Sequence, residues 1–386
     1  MSDVTGASSI ENAEIAGRIV LLRDSLATAR PALADIDAAI DLAKTAAPNK
    51  VLPALLHLRA RLMANDVGPQ KVGPILLEAL DAARQTGDPD LITNAMWEIA
   101  FNRYYAAEID EMRRLLQEAL EHVKRTGSKR AGLILFWLSK AAVFQGDLTA
   151  ASRFVDEAIA AQPYKSKWYR AIEHWVRAGR AEDQGDSVTA VAEGRLANAL
   201  FREVGQPNFI AVTAWTMGEA MIELGDDAGA RDVLADAVDL FTRRDQRGQI
   251  PEVQARLARA LVHLGDVGAA RKHAESATAV AMDSDLESRF ICAVALAEVR
   301  EAEGDLPAAD VLFREAIAIM EPSGIGDGLA ETREHYARFL LGHGRGEEAR
   351  AQLDKVRAFW SDPLAARHRD RIDALLKTTR PRTMSI

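Results

Sequence analysis

A glycine recurs every 39 to 40 residues between positions 146 and 344, and this repeat limits the possible folds more than any other feature of the chain. Aspartate follows the glycine in every copy except the last, where arginine follows. The repeated glycines are Gly146, Gly185, Gly225, Gly265, Gly304 and Gly344. A fixed period between about 20 and 50 residues is typical of stacked repeat proteins, in which each repeat packs on its neighbours.

Small residues accompany each glycine at fixed distances. Alanine stands five residues after every glycine and twelve residues after the first five, where Val356 takes its place in the last copy. Seven residues before the glycines are Ser139, Ala178, Gly218, Ala258, Ala297 and Ala337. Alanines seven residues apart share one helical face and let two helices approach closely.

This pattern predicts pairs of helices. The glycine ends the first helix in the left-handed conformation, and the following aspartate accepts amide hydrogen bonds at the start of the second helix. A single pair cannot bury both of its apolar faces, so successive pairs are expected to stack into a solenoid.

The spacing of Ala258, Gly265, Ala270 and Ala277 resembles the tetratricopeptide repeat (TPR). The period of 39 to 40 residues is longer than the roughly 34 residues usual in this family. In this respect the chain resembles the long-helix variant found in bacterial signalling regulators. The resemblance implies an all-α, right-handed solenoid of about eight to nine helix-turn-helix repeats with a C-terminal capping helix. The expected segments are a flexible N-terminus (1–11), degenerate pairs (12–127), six clear repeats (128–360), a capping helix (361–379) and a flexible tail (380–386).

Weaker copies precede the clear repeats. Steps of 39 and 40 residues back from Gly146 reach Ala107 and then Val67, and a last step reaches Ala27. The small positions are kept by Ala100 and Ala119 in one copy and by Ala60 and Ala79 in the next. In the last copy Ala32 and Ala39 fit, but Val20 occupies the small site. Eight helix pairs are therefore predicted, with a ninth allowed at the N-terminus.

Composition excludes several classes of protein. The chain has 48 Lys and Arg against 57 Asp and Glu, a formal charge of −9, which disfavours a nucleic-acid partner. No apolar run approaches the roughly 18 residues that span a bilayer, and the polar N-terminus lacks the features of a secretory signal. A single cysteine, Cys292, excludes a disulfide framework. We therefore expect a cytoplasmic bacterial protein with no membrane partner; its oligomeric state stays open.

One basic segment departs from this acidic balance. It contains Arg367, Arg369, Arg371, Lys377, Arg380 and Arg382. The favoured interpretation is a solvated capping helix with a frayed end.

No catalytic, cofactor or metal motif is present in the sequence. Gly324, Gly326 and Gly328 follow no predicted strand, so a turn between repeats is a better interpretation than a phosphate loop. Three histidines, His263, His273 and His335, are spread over different repeats at spacings that do not suit a metal, and solvated or capping roles are expected. Cys292 lies among alanines, where a buried thiol is expected. The sequence thus predicts neither an enzyme nor a cofactor.

The resemblance also implies a binding groove. In the TPR family, the side chains ten, six and two residues before the turn glycine line the concave face of the first helices. Ten residues at these positions are the predicted partner-binding groove. They are Trp97, Phe101, Tyr105, Phe136, Lys140, Phe144, Trp175, Trp215, Glu219 and Arg259. The groove is predicted to be aromatic in its N-terminal half and charged in its C-terminal half.

Two functional hypotheses follow. The first is a scaffold or adaptor that captures a protein or peptide segment in this groove, since rigid aromatic residues are enriched in binding hot spots. The second is a regulatory sensor, gated by a ligand or peptide, that acts on a separate output protein. An alternative interpretation of the tryptophans is that they pack between adjacent first helices or are covered by the N-terminal segment.

Overall fold

The computed structural model describes residues 17, 33–45, 50–161, 166–243, 248–281 and 285–379, and these residues form 18 α-helices, one short 3₁₀-helix and no strand. The predicted all-α solenoid of helix pairs is confirmed. The expected flexible segments at residues 1–11 and 380–386 lie outside the described residues, as do Val20, Ala27 and Ala32 of the weakest predicted copy.

The helices belong to two compact units. The first unit comprises residues 1–135 and 242–248, and the second comprises residues 136–241 and 249–386. Helices of the first unit are α1 (Leu33–Thr45), α2 (Leu52–Val67), α3 (Pro69–Thr86), α4 (Pro89–Tyr105) and α5 (Ile109–Thr126). Consecutive helices pack on one another from α1 to α5.

Six further helix pairs follow, of which α6 and α11 cross the division between the units. They are α6 (Ala131–Val143) with α7 (Leu148–Ala160), α8 (Lys167–Asp183) with α9 (Ser187–Glu203), α10 (Pro207–Glu223) with α11 (Asp227–Arg243), α12 (Ile250–His263) with α13 (Val267–Val280), α14 (Leu286–Ala302) with α15 (Leu306–Met320), and α16 (Gly326–Gly342) with α17 (Gly346–Phe359). A 3₁₀ turn (Pro363–Ala365) and α18 (Ala366–Thr378) complete the chain as described. With α2–α3 and α4–α5, the described residues contain the eight predicted pairs.

The repeated glycines end the first helices as predicted. All six have φ between 71° and 84°, the left-handed region that glycine enters at low cost. The aspartate after each of the first five caps the next helix. Asp147 Oδ1, for example, accepts the amide of Ala150 at 2.8 Å, and Asp266 Oδ1 accepts the amide of Ala269 at 3.1 Å. The local sequence therefore specifies each turn without help from distant residues.

The degenerate copies are partly as predicted. Ala107 has φ of 57°, the one positive value outside glycine among the described residues, so it occupies the turn position without a glycine. In the preceding copy the prediction of Val67 is wrong by one residue, because Val67 ends α2 and Gly68 makes the turn with φ of 85°. A step of 39 residues, as in other copies, would have reached Gly68.

Small residues form the contacts inside each pair. The alanines five and twelve residues after the glycines are almost fully buried. A side-chain carbon added to Gly218 would lie 2.6 Å from Leu234, which shows how closely α10 and α11 approach. Larger residues fill the remaining space within and between pairs. Phe201 on α9 packs on Trp168 of its own pair and on Phe209 of the next pair. The series of small residues therefore positions each first helix against the second helix of its own pair.

Candidate functional site on the first helices

The first helices of the second unit bring charged side chains together on one face, which we call the inner face. It consists of the residues ten, nine, six or two before a turn glycine, together with their contacts on α16. On α6, Lys140 Nζ lies 2.9 Å from Asp183 Oδ1 on α8. Further along, Arg259 of α12 bonds to both neighbouring first helices. The repeat thus aligns ionisable groups from successive pairs.

Arg259 is the centre of this network and only 5% exposed. Its Nη1 donates to Glu219 on α10 at 2.9 Å, and its Nε donates to Glu298 on α14 at 3.2 Å. Burial opposes the charge of the guanidinium, but the two carboxylates outweigh burial and raise the pKa of Arg259. The same attraction overcomes burial at Glu298 and lowers the pKa of that carboxyl to about 2.

His335 connects this centre to α16. Its Nδ1 lies 3.0 Å from Glu298, and its Nε2 lies 3.1 Å from Nη2 of Arg259. Burial and the neighbouring Arg259 oppose a charge on this ring, but its hydrogen bonds to the carboxylates of Glu298 and Glu331 outweigh them and raise the pKa of His335. Nearby, Glu331 approaches Arg259 at 3.8 Å, and 45% of its side chain is exposed. Glu331 is therefore the accessible edge of an otherwise buried network.

Carboxylates outnumber cations around Lys140. Burial raises the pKa of Glu182 to about 8 and that of Asp327 to about 7, although Lys140 attracts both charges. Oδ1 of Asp327 is buried and has no hydrogen-bond partner in the described part of the chain. This end of the inner face thus holds carboxyl groups that are partly protonated near neutral pH.

Aromatic residues at the predicted positions also lie on the first helices. Phe136 and Trp175 have ring centroids 5.0 Å apart, and Trp175 contacts Phe209 at 5.6 Å. The guanidinium of Arg256 lies 4.5 Å from the ring of Trp215. Phe136 and Trp175 therefore contribute to packing between helix pairs, in addition to any contact with a partner.

The N-terminal members of the predicted groove lie in the first unit. Trp97 stacks on Phe101 at 5.4 Å, and Phe101 meets Tyr105 edge-on at 4.9 Å, all along one side of α4. The indole nitrogen of Trp97 is buried without a hydrogen-bond partner in the described residues. The last predicted member, Phe144, is buried at the end of the first helix in its pair.

Known structures share this architecture. A Rap protein complexed with Competence and Sporulation Factor matches with a TM-score of 0.58 at 13% identity, covering 97% of this chain and 99% of that chain. Aspartyl phosphate phosphatase F from Bacillus subtilis matches with a TM-score of 0.52 at 12% identity, covering 95% and 96%. A chain of the APC/C hetero-tetramer Cut9–Hcn1 matches with a TM-score of 0.57 at 14% identity. The match covers 90% of this chain and 59% of the APC/C chain.

The chain is a TPR-like helical-repeat protein. At these low identities the likeness is one of fold. No protein-family model matches the sequence, and no curated protein matches it.

Other ionisable groups of this TPR-like chain have structural surroundings. Cys292 is 1% exposed, and burial raises the pKa of its thiol to about 12, so it is a buried thiol as predicted. His263 contacts Asp227 at 2.8 Å. The expectation of a solvated or capping role is wrong for His335, because the inner-face network surrounds it. Among the described residues, no three His, Cys, Asp or Glu side chains are arranged so that they could hold a metal ion, and none of the helices could span a bilayer.

Sequence reasoning missed part of the inner face. Arg256 and His335 each stand nine residues before their turn glycine, next to a position that the TPR resemblance assigns to the groove. Ionisable residues stand at this neighbouring position in two copies, and their recurrence could have identified Arg256 and His335 from the sequence. Arg371 of α18 also reaches this face, 2.8 Å from Glu334, but no repeat register predicts its position.

Proposed function

We propose that the protein is a TPR-like scaffold or adaptor that binds a protein or peptide segment on the inner face of its first helices. The inner face suits a binding role, because it presents hydrogen-bonding and charged groups in a fixed arrangement. We further propose that the protein acts in the bacterial cytoplasm, without catalytic activity, and that its partner is neither a nucleic acid nor a membrane.

The observation that supports this proposal most is the exposed edge of the Arg259 network. At this edge Glu331 and Arg338 are half-exposed charges of opposite sign on α16. Glu331 approaches Arg259 at 3.8 Å, and Arg338 pairs with the buried Glu334 at 2.5 Å. Both charges lie on a rigid helix, so they can orient a segment that carries complementary groups at low entropic cost. Trp215, partly exposed beside Arg256, adds an apolar surface to the same face.

Affinity capture from a bacterial lysate tests the proposal. The bait is the full chain with Glu331→Arg, which reverses one charge of the inner face at an exposed position. The matched control is Glu315→Arg, the same change on an exposed residue of the second helix α15. We expect proteins that bind the wild type to be lost with Glu331→Arg and retained with Glu315→Arg. If both folded variants keep the same set of proteins as the wild type, the inner face is not the binding surface.

A second candidate function is a sensor that changes conformation when a peptide or another ligand binds. It is favoured by contacts in which the C-terminal helix of the second unit reaches its first repeats, including a hydrogen bond between residues 185 positions apart. The similar Rap structure was determined in complex with Competence and Sporulation Factor. A scaffold should keep its dimensions on binding, whereas a sensor should contract or open, and small-angle scattering with a captured partner separates the two.

A further inference from the structure

Six carboxyl groups lie together beside the inner face of the second unit, and we call them the acidic cluster. They come from the end of α8 and from the starts of α12, α14 and α16. The members are Glu182, Asp183, Glu252, Asp285, Glu287 and Asp327. Asp183 and Glu287 are near enough to Asp327 for their charges to oppose its ionisation, and Glu287 acts in the same way on Glu252. The fold therefore concentrates negative charge at this end of the face.

The cations that adjoin the cluster already have carboxylate partners. Lys140 Nζ lies 2.9 Å from Asp183, and Arg256 Nε lies 3.2 Å from Glu219, which is outside the cluster. Three members of the cluster form no ion pair within the described part of the chain. They are Glu182, Glu252 and Asp327. These three carboxyl groups therefore lack a cation in direct contact.

Glu252 is the most deeply buried member, with 2% exposure, and its Oε2 has no hydrogen-bond partner among the described residues. Its Oε1 lies 3.3 Å from the hydroxyl of Ser288, but that hydroxyl is closer to Asp285, at 2.7 Å. A serine hydroxyl has one proton to donate, so Ser288 satisfies Asp285 and leaves Glu252 without a donor. Burial and the charges of Glu287 and Asp285 accordingly raise the pKa of Glu252 well above its usual range.

Glu182 and Asp327 show the same mismatch at a more accessible position. Burial raises the pKa of Glu182 to about 8 and that of Asp327 to about 7, and Oδ1 of Asp327 has no hydrogen-bond partner in the described residues. Both residues are partly exposed, so a ligand can reach them from solvent. Carboxyl groups with perturbed pKa values are frequent at functional sites, and a nearby cation would favour their ionised forms.

The basic segment of α18 does not supply this cation. Arg367 pairs with Asp186 at 3.1 Å, Arg371 pairs with Glu223 at 3.3 Å, and Arg369 donates to backbone carbonyls. These contacts join α18 to the first repeats, so that the second unit closes on itself. The interpretation of the segment as merely solvated is therefore wrong for these arginines, because each has a partner within the protein.

We propose that the acidic cluster is a subsite for a cationic side chain of the segment that binds the inner face. This inference rests on the proposed function, and it adds the charge of the partner. A guanidinium suits the subsite well, because its five donors lie in one plane and can meet several carboxylate oxygens at once. Bound there, it gives Glu182 and Asp327 the cation that they lack, and both carboxyl groups then release their protons.

Isothermal titration calorimetry with synthetic peptides tests the subsite. The probe is a nine-residue peptide in which arginine and alanine alternate, and its counterpart has glutamine in place of arginine. The inner double variant is Glu182→Gln with Asp327→Asn. The matched control is Glu315→Gln with Asp354→Asn, which makes the same change of charge at exposed positions on second helices.

We expect the inner double variant to bind the arginine peptide about tenfold more weakly than the wild type, and the outer control to differ from it by less than about twofold. Titrations at pH 7.5 in two buffers of different ionisation enthalpy count the protons released. The wild type should release about one proton on binding, because Glu182 is mostly protonated and Asp327 partly protonated at this pH. The inner variant should release almost none, and circular dichroism checks that both variants are folded.

Three results would overturn the subsite. The arginine and glutamine peptides could bind equally, the inner and outer double variants could lose equal affinity, or binding could release no proton. If the inner double variant does not fold, the single change Glu182→Gln compared with Glu315→Gln decides by the same criteria. The proposed function fails separately, when capture from lysate does not depend on Glu331, and that result leaves the peptide titrations unaffected.

Discussion

In the second unit, the turn at Gly146 lies against Phe359 at the end of α17. Replacing Gly146 with alanine perturbs this contact, and Gly265→Ala provides a matched control. Both glycines end a first helix, with φ of 74° and 79°. They differ in their surroundings, because the added carbon would lie 2.9 Å from a backbone oxygen of Phe359 at the first position and in open space at the second. The comparison therefore separates backbone strain from the closing contact.

The expected magnitudes follow from these two contributions. A left-handed alanine costs about 1 to 2 kcal/mol, which both variants share. Overpacking adds about 1 to 3 kcal/mol, and it applies at Gly146 alone because the obstructing atom belongs to the backbone and cannot rotate away. Gly265→Ala should thus lower the free energy of unfolding by about 1 to 2 kcal/mol and Gly146→Ala by about 2 to 5 kcal/mol.

Urea denaturation followed by circular dichroism measures both values, and hydrogen exchange locates the change. In Gly146→Ala, the amide of Thr149 should exchange faster, since its bond to Asp362 belongs to the same contact. In Gly265→Ala this amide should remain as protected as in the wild type. Equal destabilisation of the two variants, with equal protection of Thr149, would refute the contact of Phe359 and Asp362 with the first repeat of the second unit.

Three further predictions concern buried side chains. Burial lowers the pKa of His368 from 6.5 to about 4. The free energy of unfolding should therefore be constant above pH 6.5 and fall by about 3 kcal/mol between pH 6.5 and 4. Urea titrations across this range should show that His368→Gln lacks this loss. Arg259→Ala leaves the carboxylates of Glu219 and Glu298 without their shared cation, and calorimetry should show a loss of about 3 to 5 kcal/mol; a loss below 1 kcal/mol would contradict the network. Phe201→Ala, at a fully buried position, should cost about 3 to 5 kcal/mol in the same assay, and a near-neutral effect would argue against the packing between pairs.

Much of the candidate site was predictable because the repeat register carries over from copy to copy. Lys140, Glu219 and Arg259 were predicted to line a partner-binding groove. The structure shows that each forms an ion pair with an adjacent first helix, and their contact with a partner stays a prediction. Their partners depend on which side chain the next copy supplies at the facing position. His335 was not predicted, because its contact with Arg259 joins helices that are not neighbours in the repeat order.

The sequence by itself determined the helix pairs and their turns. Gly146 and its five equivalents adopt the left-handed turn, and even Ala107 does so where glycine is missing, because turn and cap are set by residues within a few positions of one another. The tertiary structure alone decided that the second unit closes and that Arg367 and Arg371 meet its first repeats. Each helix pair adds a small rotation to the stack, and only the accumulated rotation of the pairs determines whether residues 148 to 213 positions apart come into contact.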